Sequence, residues 1–158
     1  MELSARLKRG DSVGLTKRGK GNKIMAICDA NGLLIALAVT SANPHESRLV
    51  DTAIDGKVLS DFPKVLVGDK AYDSDKLDKH LHDKYGIRLI APNKHNRIQD
   101  HEDGRRLRRY RRRWLIERCF AWLQNYRRIV VRWDRKLDNW IGFIWLAAGN
   151  LLANRVMR

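Results

Sequence analysis

The segment Lys64-Val65-Leu66-Val67-Gly68-Asp69-Lys70-Ala71-Tyr72-Asp73 decides the fold prediction for this chain. Three apolar residues, two of them β-branched, lead into a turn that carries a carboxylate. This pattern predicts a short buried strand whose end presents Asp69. Because ligands and chemistry gather at the carboxyl ends of strands in α/β sheets, Asp69 is the first candidate for a functional residue.

The residues that follow this strand predict a βαβ unit. Ser74 is placed to cap a helix over 74–85, which has acidic residues near its positive end. Gly86 is expected to end that helix in a left-handed conformation. A second short strand, 87–91, comes next and stops at Pro92. A strand, a helix and a strand in this order predict two parallel strands in an α/β fold.

An antiparallel hairpin is predicted earlier in the chain. Apolar runs at 23–28 and 33–40 flank Asp29-Ala30-Asn31-Gly32, and the Asn-Gly pair favours the positive φ values of a tight turn. Neither run alternates cleanly with polar residues, so we expect helices on both faces of the hairpin. Asp29 is most simply a turn residue. Residues 1–22 are basic and glycine-rich, which predicts an irregular arm before a core that spans 23–158.

Helical spacing predicts three further elements. They are a helix over 47–60, a long arginine-rich helix over 104–126 and a final apolar helix over 137–156. Residues 129–131 are expected to form a brief strand. The final helix is short for a membrane span and is flanked by charge, so we expect it to pack against protein. The apolar face of the first helix consists of Leu49, Val50, Ala53, Ile54 and Val58.

Charge is the strongest compositional signal. The 158 residues carry a net charge of +14, and residues 93–136 hold 15 Lys/Arg against 5 Asp/Glu, which places +10 in that segment. Such clustering indicates a polyanionic partner, most often nucleic acid, with a solvated basic surface as the simpler alternative. Cys28 and Cys119 lie among apolar residues and are expected to be buried free thiols, as in a reducing cytosol.

A second carboxylate stands out in the arginine-rich helix. At 100° per residue, Glu117 shares a helix face with Tyr110, Trp114, Phe120 and Ala121, so we expect it to be dehydrated. An arginine such as Arg113, a metal ion or a proton would then be its partner. Two carboxylates, one at a strand end and one on a helix, match a magnesium site for phosphoryl transfer, although such sites normally use more than two.

These motifs resemble the C-terminal part of an insertion-sequence DDE transposase. Asp69-Lys70-x-Tyr72-Asp73 is similar to the segment that holds the second catalytic aspartate of that family. Tyr110, Arg113 and Glu117 fit the Tyr-x2-Arg-x3-Glu signature, which holds the catalytic glutamate. Residues 19–24, which lead into the hairpin, and Asn43 and His45 after it resemble the family's basic entry and its next turn.

The chain also departs from the family pattern. Gln124 stands where the signature continues with Lys or Arg, and Arg127 and Arg128 lie one turn further on as substitutes. The first catalytic aspartate belongs to a strand before the hairpin, and nothing here matches it. Asp11 lies in a Gly- and Lys-rich arm and is not assigned that role. We therefore expect a second reading frame or a truncated copy of the enzyme.

The resemblance implies a fold and a chemistry. The fold would be α/β, with a ribonuclease-H-like mixed sheet flanked by helices, here lacking its first strand. Asp69 and Glu117 would be catalytic and would hold Mg²⁺, with Mn²⁺ as an alternative ion. The reaction would be attack by water on a phosphodiester at the element's end. The freed 3′-hydroxyl would then attack target DNA.

The resemblance also implies partners. Double-stranded DNA would be bound at element ends and at the target, in the nucleoid of a bacterial cytoplasm and with no membrane involved. Self-association or an upstream N-terminal transposase polypeptide would complete the assembly. A catalytically dead DNA-binding remnant or regulator is the main alternative, and an unrelated RNA-binding protein is another. Residues assigned to DNA binding are Tyr110, Arg113, Lys20, Lys23, Arg108, Arg109, Arg112, Arg127 and Arg128.

Overall fold

The computed structural model describes residues 10–16, 19–41, 46–58, 60–95 and 107–157, which form two units. Unit 1 holds the described residues up to Lys57 and from Leu115 onwards, and unit 2 holds those from Val58 to Trp114. Helices and strands occur in both units, so the α/β class is confirmed. The described strands form a three-stranded and a two-stranded sheet, and the ribonuclease-H-like arrangement stays a proposal.

The sheet of unit 1 is built on the predicted hairpin. Strands β1 (Gly14–Thr16), β2 (Gly19–Cys28) and β3 (Leu34–Ser41) pair antiparallel in the order β1-β2-β3. Gly32 has a φ of 82°, which favours glycine, and the Asp29 carboxylate accepts the backbone N–H groups of Asn31 and Leu33. The hairpin and the turn role of Asp29 are therefore confirmed.

The prediction of an irregular arm is wrong for the described residues 14–16 and 19–22. Leu15 pairs with Lys20 and Asn22 pairs with Ser41, so β2 begins four residues before the predicted start. Glycine and lysine are weak strand formers on their own. The partner strand supplies ladder hydrogen bonds that local sequence does not reveal. The proposed domain division at residue 22 stays a prediction.

Helices cover both faces of this sheet, as predicted. Ala36 and Ala38 of β3 are buried on the face that packs on helix α1 (Glu46–Asp55), whose Leu49, Ala53 and Ile54 are also buried. Alternation along the strand turns Leu37 to the opposite face. The helix ends at Asp55 rather than residue 60. Val58, three residues beyond this end, is 68% exposed, so its assignment to the apolar face of the helix is wrong.

The opposite face packs on the C-terminal helices. These are α4 (Trp114–Gln124), α5 (Arg127–Val130) and α6 (Leu137–Val156), and the last of them has its predicted bounds. Trp140, Ile144 and Ala147 recur along one face of α6 and are buried against Ile24 and Leu37. The predicted strand at 129–131 is wrong. Residues 127–130 form one helical turn, which buries Ile129 in this core.

A buried arginine connects the start of unit 1 to the loop before α6. The Arg132 side chain is fully buried and donates to the carbonyls of Asp11, Asp134 and Arg135 and to Oδ1 of Asn22, at 2.7–2.9 Å. Asn22, also fully buried, donates from Nδ2 to the carbonyl of Ser12 at 2.6 Å. Removal from water lowers the pKa of Arg132, and the negative charges of Asp11 and Asp134 oppose this effect.

Unit 2 contains the predicted βαβ unit. Strands β4 (Val65–Val67) and β5 (Arg88–Ile90) are parallel, with Leu66 opposite Leu89, and helix α2 (Asp75–Tyr85) connects them. Gly86 ends α2 with a φ of 66°, as predicted, whereas Ser74 occupies the N-cap position without a side-chain hydrogen bond. Val65 and Leu66 are half-buried and Val67 is 36% exposed, so the expectation of a buried strand is wrong.

The arginine-rich segment is helical but not one continuous α-helix. Helix α3 (Leu107–Tyr110) leads through a 3₁₀ turn (Arg111–Arg113) into α4, which ends at Gln124 rather than residue 126. Residues 104–106 of the predicted helix, like Asn43 and His45, lie outside the described residues. Within the part of the chain that the structure describes, no helix is long and apolar enough to cross a membrane.

Candidate active site

Asp69 lies just beyond the carboxyl end of β4, as predicted. The N–H of Gly68 donates to the carbonyl of Ile90 at 2.9 Å, which extends the β4–β5 pairing to the residue before Asp69. Asp69 then caps a 3₁₀ turn (Lys70–Tyr72), and its Oδ1 accepts the N–H of Ala71 at 2.9 Å. The side chain is partly buried, and its Oδ2 accepts no hydrogen bond from the described residues. One carboxylate oxygen is thus fixed by the backbone while the other is available to a ligand.

The loop that carries Asp69 is supported by contacts that our sequence analysis missed. A Cβ at Gly68 would lie 2.9 Å from Cδ2 and 3.1 Å from Cγ of Tyr72, so the ring packs directly over the glycine. At the other end of the loop, the N–H of Lys94 donates to Oδ2 of Asp73 at 2.7 Å. The Nζ of Lys94 donates to the carbonyl of Asp73 at 2.8 Å. Gly68, Tyr72 and Asp73 all lie within four residues of Asp69 in the sequence, and this closeness could have identified them as supporting residues.

The second motif places two of its residues in contact. Nη1 of Arg113 donates to the hydroxyl of Tyr110 at 3.1 Å, and its guanidinium lies 5.5 Å from the centre of the Tyr110 ring. The 3₁₀ turn between them brings residues three apart onto one side. Tyr110 and Arg113 belong to unit 2, as Asp69 does. Arg108, Arg109 and Arg112 on the same segment are exposed, so their charges face solvent.

Glu117 lies in the first turn of α4, in unit 1. The expectation that its carboxylate is dehydrated is wrong because Glu117 is exposed. Of the residues predicted to share its face, Trp114 is 50% exposed and Ala121 is exposed, whereas Phe120 is buried in the core. Apolar side chains on one helix face do not bury a neighbour when that face is open to solvent.

Unit 1 holds the remaining basic candidates. Lys23 lies in β2 opposite Thr40. The backbone of Lys20 pairs with Leu15, and the side chain of Lys20 is outside the described part of the structure. Arg127 is exposed at the start of α5. Arg128 donates to Oδ1 of Asp134 at 3.0 Å, and its guanidinium lies 4.2 Å from the centre of the Phe143 ring. Their DNA-binding roles stay predictions.

The donor chemistry at Asp69 and Glu117 fits Mg²⁺ or Mn²⁺. Both offer carboxylate oxygens outside the core, and hard oxygen ligands are what these ions prefer. Among the described residues, no group of three or more His, Cys, Asp or Glu side chains is arranged to hold a metal. Asp69 lies in unit 2 and Glu117 lies in unit 1. Binding of one ion by both residues therefore stays a prediction.

Unit 2 holds a strand-end aspartate and a Tyr–Arg pair, and unit 1 holds an exposed helical glutamate. These residue types suit phosphoryl transfer. Residues 8–151 match the family model described as the transposase DDE domain, so the chain belongs to the family of DDE transposases. The family predicted from the sequence is thereby confirmed.

A curated relative supports the same family. The chain is 30% identical over 147 residues to a protein of Burkholderia cepacia that is named as a transposase for insertion sequence element IS402. The alignment covers 87% of this chain and 65% of the relative, so the chain spans less than two thirds of that relative's length. No solved structure matches the chain.

Proposed function

We propose that this chain acts in DNA transposition as part of an insertion-sequence transposase. The reaction would be metal-dependent hydrolysis of a phosphodiester at the element's end, followed by strand transfer to target DNA. The observation that carries the proposal is the family match over 8–151, which includes both the Asp69 loop and the Tyr110–Arg113–Glu117 signature. The name of the Burkholderia cepacia relative points to the same class of reaction.

Asp69 and Glu117 would hold the divalent ion. When bound, Mg²⁺ or Mn²⁺ supplies activation of the attacking oxygen and stabilisation of the leaving one. The backbone hydrogen bond to Oδ1 of Asp69 fixes the carboxylate before any ligand arrives, which lowers the cost of ordering it. Glu117, at an exposed position, would offer its carboxylate oxygens to an ion from solvent.

Tyr110 and Arg113 would position the DNA backbone. The hydrogen bond from Arg113 orients the Tyr110 hydroxyl, whose own proton is then available to a phosphate oxygen. The planar fork of the Arg113 guanidinium group matches phosphate geometry. These residues would orient the substrate and stabilise its charge rather than transfer protons.

Duplex DNA is the proposed substrate. The exposed guanidinium groups of Arg108, Arg109 and Arg112 suit phosphate contacts, which give affinity but do not read sequence. Lys20, Lys23, Arg127 and Arg128 would add contacts in unit 1. We expect affinity to fall steeply with salt and to depend little on sequence, because each phosphate neutralised adds about −0.9 to the log–log slope.

DNA binding is tested by fluorescence anisotropy with a labelled duplex between about 50 and 200 mM salt. Replacing Arg108, Arg109 and Arg112 together with Gln should weaken binding to all sequences and make the slope shallower by about 2.7. A matched control replaces the exposed Lys64, Lys76 and Lys79 of the same unit with Gln and removes the same charge. Equal effects of the two triple variants would argue against a specific basic surface.

Catalysis is tested by nicking of an element-end duplex with Mg²⁺ or Mn²⁺. Nicking that disappears in both Asp69→Asn and Glu117→Gln, with DNA binding intact, would support the assigned roles. A catalytically dead DNA-binding protein or regulator is the second candidate. It is favoured by the exposed side chains of Arg108, Arg109 and Arg112, which suit DNA binding without requiring catalysis. Retained binding without nicking under either ion would establish that alternative.

A further inference from the structure

The loop between α5 and α6, in unit 1, presents a tryptophan to solvent. Trp133 is 74% exposed, which makes it the most exposed of the five tryptophans of the chain. A tryptophan ring is large and mainly apolar, and it contributes to stability through the area that it buries. The fold therefore gains little from Trp133, although it buries Trp140 completely a few residues further on.

The loop is anchored on both sides of Trp133. The buried side chain of Arg132 donates to the carbonyl oxygens of Asp134 and Arg135, at 2.8 and 2.7 Å. The carbonyl oxygen of Arg135 also accepts the N–H of Asp11 at 3.2 Å. Trp133 lies between these anchored residues, so its backbone is held while its ring remains exposed. Less conformational freedom is then lost when the ring contacts a ligand.

Exposure alternates along this loop. Arg132 is fully buried and the side chain of Asp134 is only 9% exposed, whereas Trp133 and Arg135 are exposed. Such alternation is typical of an extended segment, in which residues two apart point to the same side and lie about 6.5 Å apart. Val131, at the start of the loop, has an extended φ of −123° and ψ of 116°. Trp133 and Arg135 therefore share the outer side of the loop.

The segment around Trp133 is positively charged. Residues 127–136 include five Arg or Lys against one Asp. The acidic residue, Asp134, accepts from Arg128 at 3.0 Å. The cations of this segment that are exposed together with Trp133 include Arg127, Arg135 and Lys136. An aromatic ring among exposed cations suits a polyanion that carries flat rings, and this combination is typical of surfaces that bind single-stranded nucleic acid.

We propose that Trp133 stacks on an unpaired base of single-stranded DNA and that Arg135 binds a phosphate of the same strand. The inference rests on the transposition function proposed above and adds to it a site for unpaired DNA. Inside a duplex both faces of a base are covered by its neighbours, so an aromatic ring reaches a base most easily where pairing is lost. The proposed reaction frees a strand end, and bases at such an end unpair at lower cost than bases inside a duplex.

The test measures binding of the full chain to a labelled oligo(dT) of about 12 nucleotides and to a blunt duplex, by fluorescence anisotropy. We expect Trp133→Ala to weaken binding to the single strand at least about fivefold and to the duplex less than about twofold. Trp133→Phe should keep most of the affinity because it keeps an aromatic ring. Leu146→Ala removes another exposed apolar side chain, on α6, and should change neither affinity.

The salt dependence distinguishes the two residues of the site. Arg135→Gln should weaken binding to oligo(dT) and make the log–log slope shallower by about 0.7, the contribution of one phosphate contact on a single strand. Trp133→Ala removes no charge and should leave the slope unchanged. Unchanged affinity of Trp133→Ala for oligo(dT) would overturn the proposal. Equal losses on single strand and duplex would also overturn it, because Trp133 would then not distinguish unpaired bases.

Thermal melting and analytical ultracentrifugation separate base stacking from two other roles of Trp133. The Tm of Trp133→Ala should match that of the unmodified chain because the ring is exposed. A lower Tm with unchanged DNA binding would assign the ring to the fold. Loss of self-association with unchanged DNA binding would assign it to a protein interface. Either result, or duplex binding without oligo(dT) binding by the unmodified chain, would overturn this inference alone. Failure of the unmodified chain to bind either DNA would overturn the proposed function as well.

Discussion

Lys94 binds Asp73 twice, with its backbone N–H on Oδ2 at 2.7 Å and its Nζ on the carbonyl oxygen at 2.8 Å. The two residues are 21 positions apart, and they connect the segment after β5 to the loop that carries Asp69. Because β4 and β5 are parallel, both segments leave the sheet at the same edge. The pair therefore anchors the far end of the candidate catalytic loop.

Replacing Lys94 with Met should loosen this loop without unfolding the chain. The substitution removes the Nζ hydrogen bond, worth about 1 kcal/mol, and leaves the backbone hydrogen bond in place. Amide hydrogen exchange should become faster at Ala71, Tyr72 and Asp73 and stay unchanged in α6. Lys79→Met on α2 is the matched control. Unchanged exchange in the loop of Lys94→Met would show that the backbone contact alone holds it.

Gly68→Ala should destabilise unit 2 through a clash with Tyr72. The new methyl group would lie 2.9 Å from Cδ2 of the ring, so the ring must move, at a cost of about 1–3 kcal/mol. Urea denaturation of the full chain measures this cost. A Cβ at Gly142, on an exposed part of α6, meets nothing within 4 Å. Gly142→Ala should therefore stabilise the chain by about 0.5–1 kcal/mol.

A double-mutant cycle identifies the cause of the Gly68 effect. In a Tyr72→Ala background the aromatic ring is absent, so Gly68→Ala should cost clearly less. The same cost in both backgrounds would mean that the backbone at Gly68, rather than the ring, excludes a side chain.

The elements that local chemistry specifies were predicted from the sequence. Asn31-Gly32 predicted the hairpin, Gly86 predicted the end of α2, and the apolar run 65–67 predicted the strand before Asp69. In each case a residue with a marked conformational preference lies beside a clear hydrophobic pattern.

The elements that tertiary pairing specifies were missed. Strand β1 has only three residues, and β2 begins with Gly19-Lys20-Gly21, so pairing with a partner strand rather than local sequence makes them extended. Residues 129–131 have β-branched side chains, yet the turn of α5 buries Ile129 beside Trp140. Packing outweighed propensity at that position.

The candidate site was predicted by motif, and its supporting contacts were not. Asp69 lies at the predicted strand end, whereas the contact between Tyr110 and Arg113 was not predicted. The exposure of Glu117 contradicts the helix-face argument. Arg132 was not distinguished from the other arginines, because no local pattern tells a buried arginine from an exposed one. Two of its four acceptors, in Asp11 and Asn22, lie more than 100 residues before it in the sequence. The other two, in Asp134 and Arg135, lie in its own loop.

Among the described arginines, we expect substitution of Arg132 to lower the free energy of unfolding most. Replacing it with Met would leave Oδ1 of Asn22 and three carbonyl groups without their donor, at a cost of about 1–3 kcal/mol for each group left buried. We expect a loss of at least about 3 kcal/mol in urea denaturation for Arg132→Met. Arg135→Met, at an exposed neighbour, should stay within about 0.5 kcal/mol.

Arg132→Lys distinguishes charge from geometry. An ammonium group cannot reach four acceptors that three guanidinium nitrogens now serve, so this variant should also be destabilised. Stability close to that of the unmodified chain would show that positive charge alone is required. If Arg132→Met does not fold, Asn22→Ala removes one acceptor and gives a milder test of the same network.

The two thiols predict a loss of stability in alkaline solution. Both cysteines are free, and burial raises the pKa of Cys28 to about 11 and that of Cys119 to about 12, from 9.0. Between pH 9 and these values, the unfolded chain loses thiol protons that the folded chain keeps. The folded state is therefore penalised as pH rises, by at most about 1.4 kcal/mol per pH unit for each thiol. Below pH 9 both states are protonated, and the thiols add no pH dependence.

The measurement is the free energy of unfolding from pH 8 to 10.5 for the unmodified chain and for a Cys28→Ala, Cys119→Ala variant. Lysine and tyrosine residues titrate in the same range, but they are common to both proteins, so the difference in slope isolates the thiols. Cys28→Ala alone and Cys119→Ala alone should each remove about half of the difference, because both folded-state pKa values lie above the pH range measured. The substitutions also shift stability by a constant through lost packing, which does not affect the slope. Identical slopes would mean that solvent reaches these thiols in the folded chain, and rapid alkylation of Cys119 at neutral pH would then be expected too.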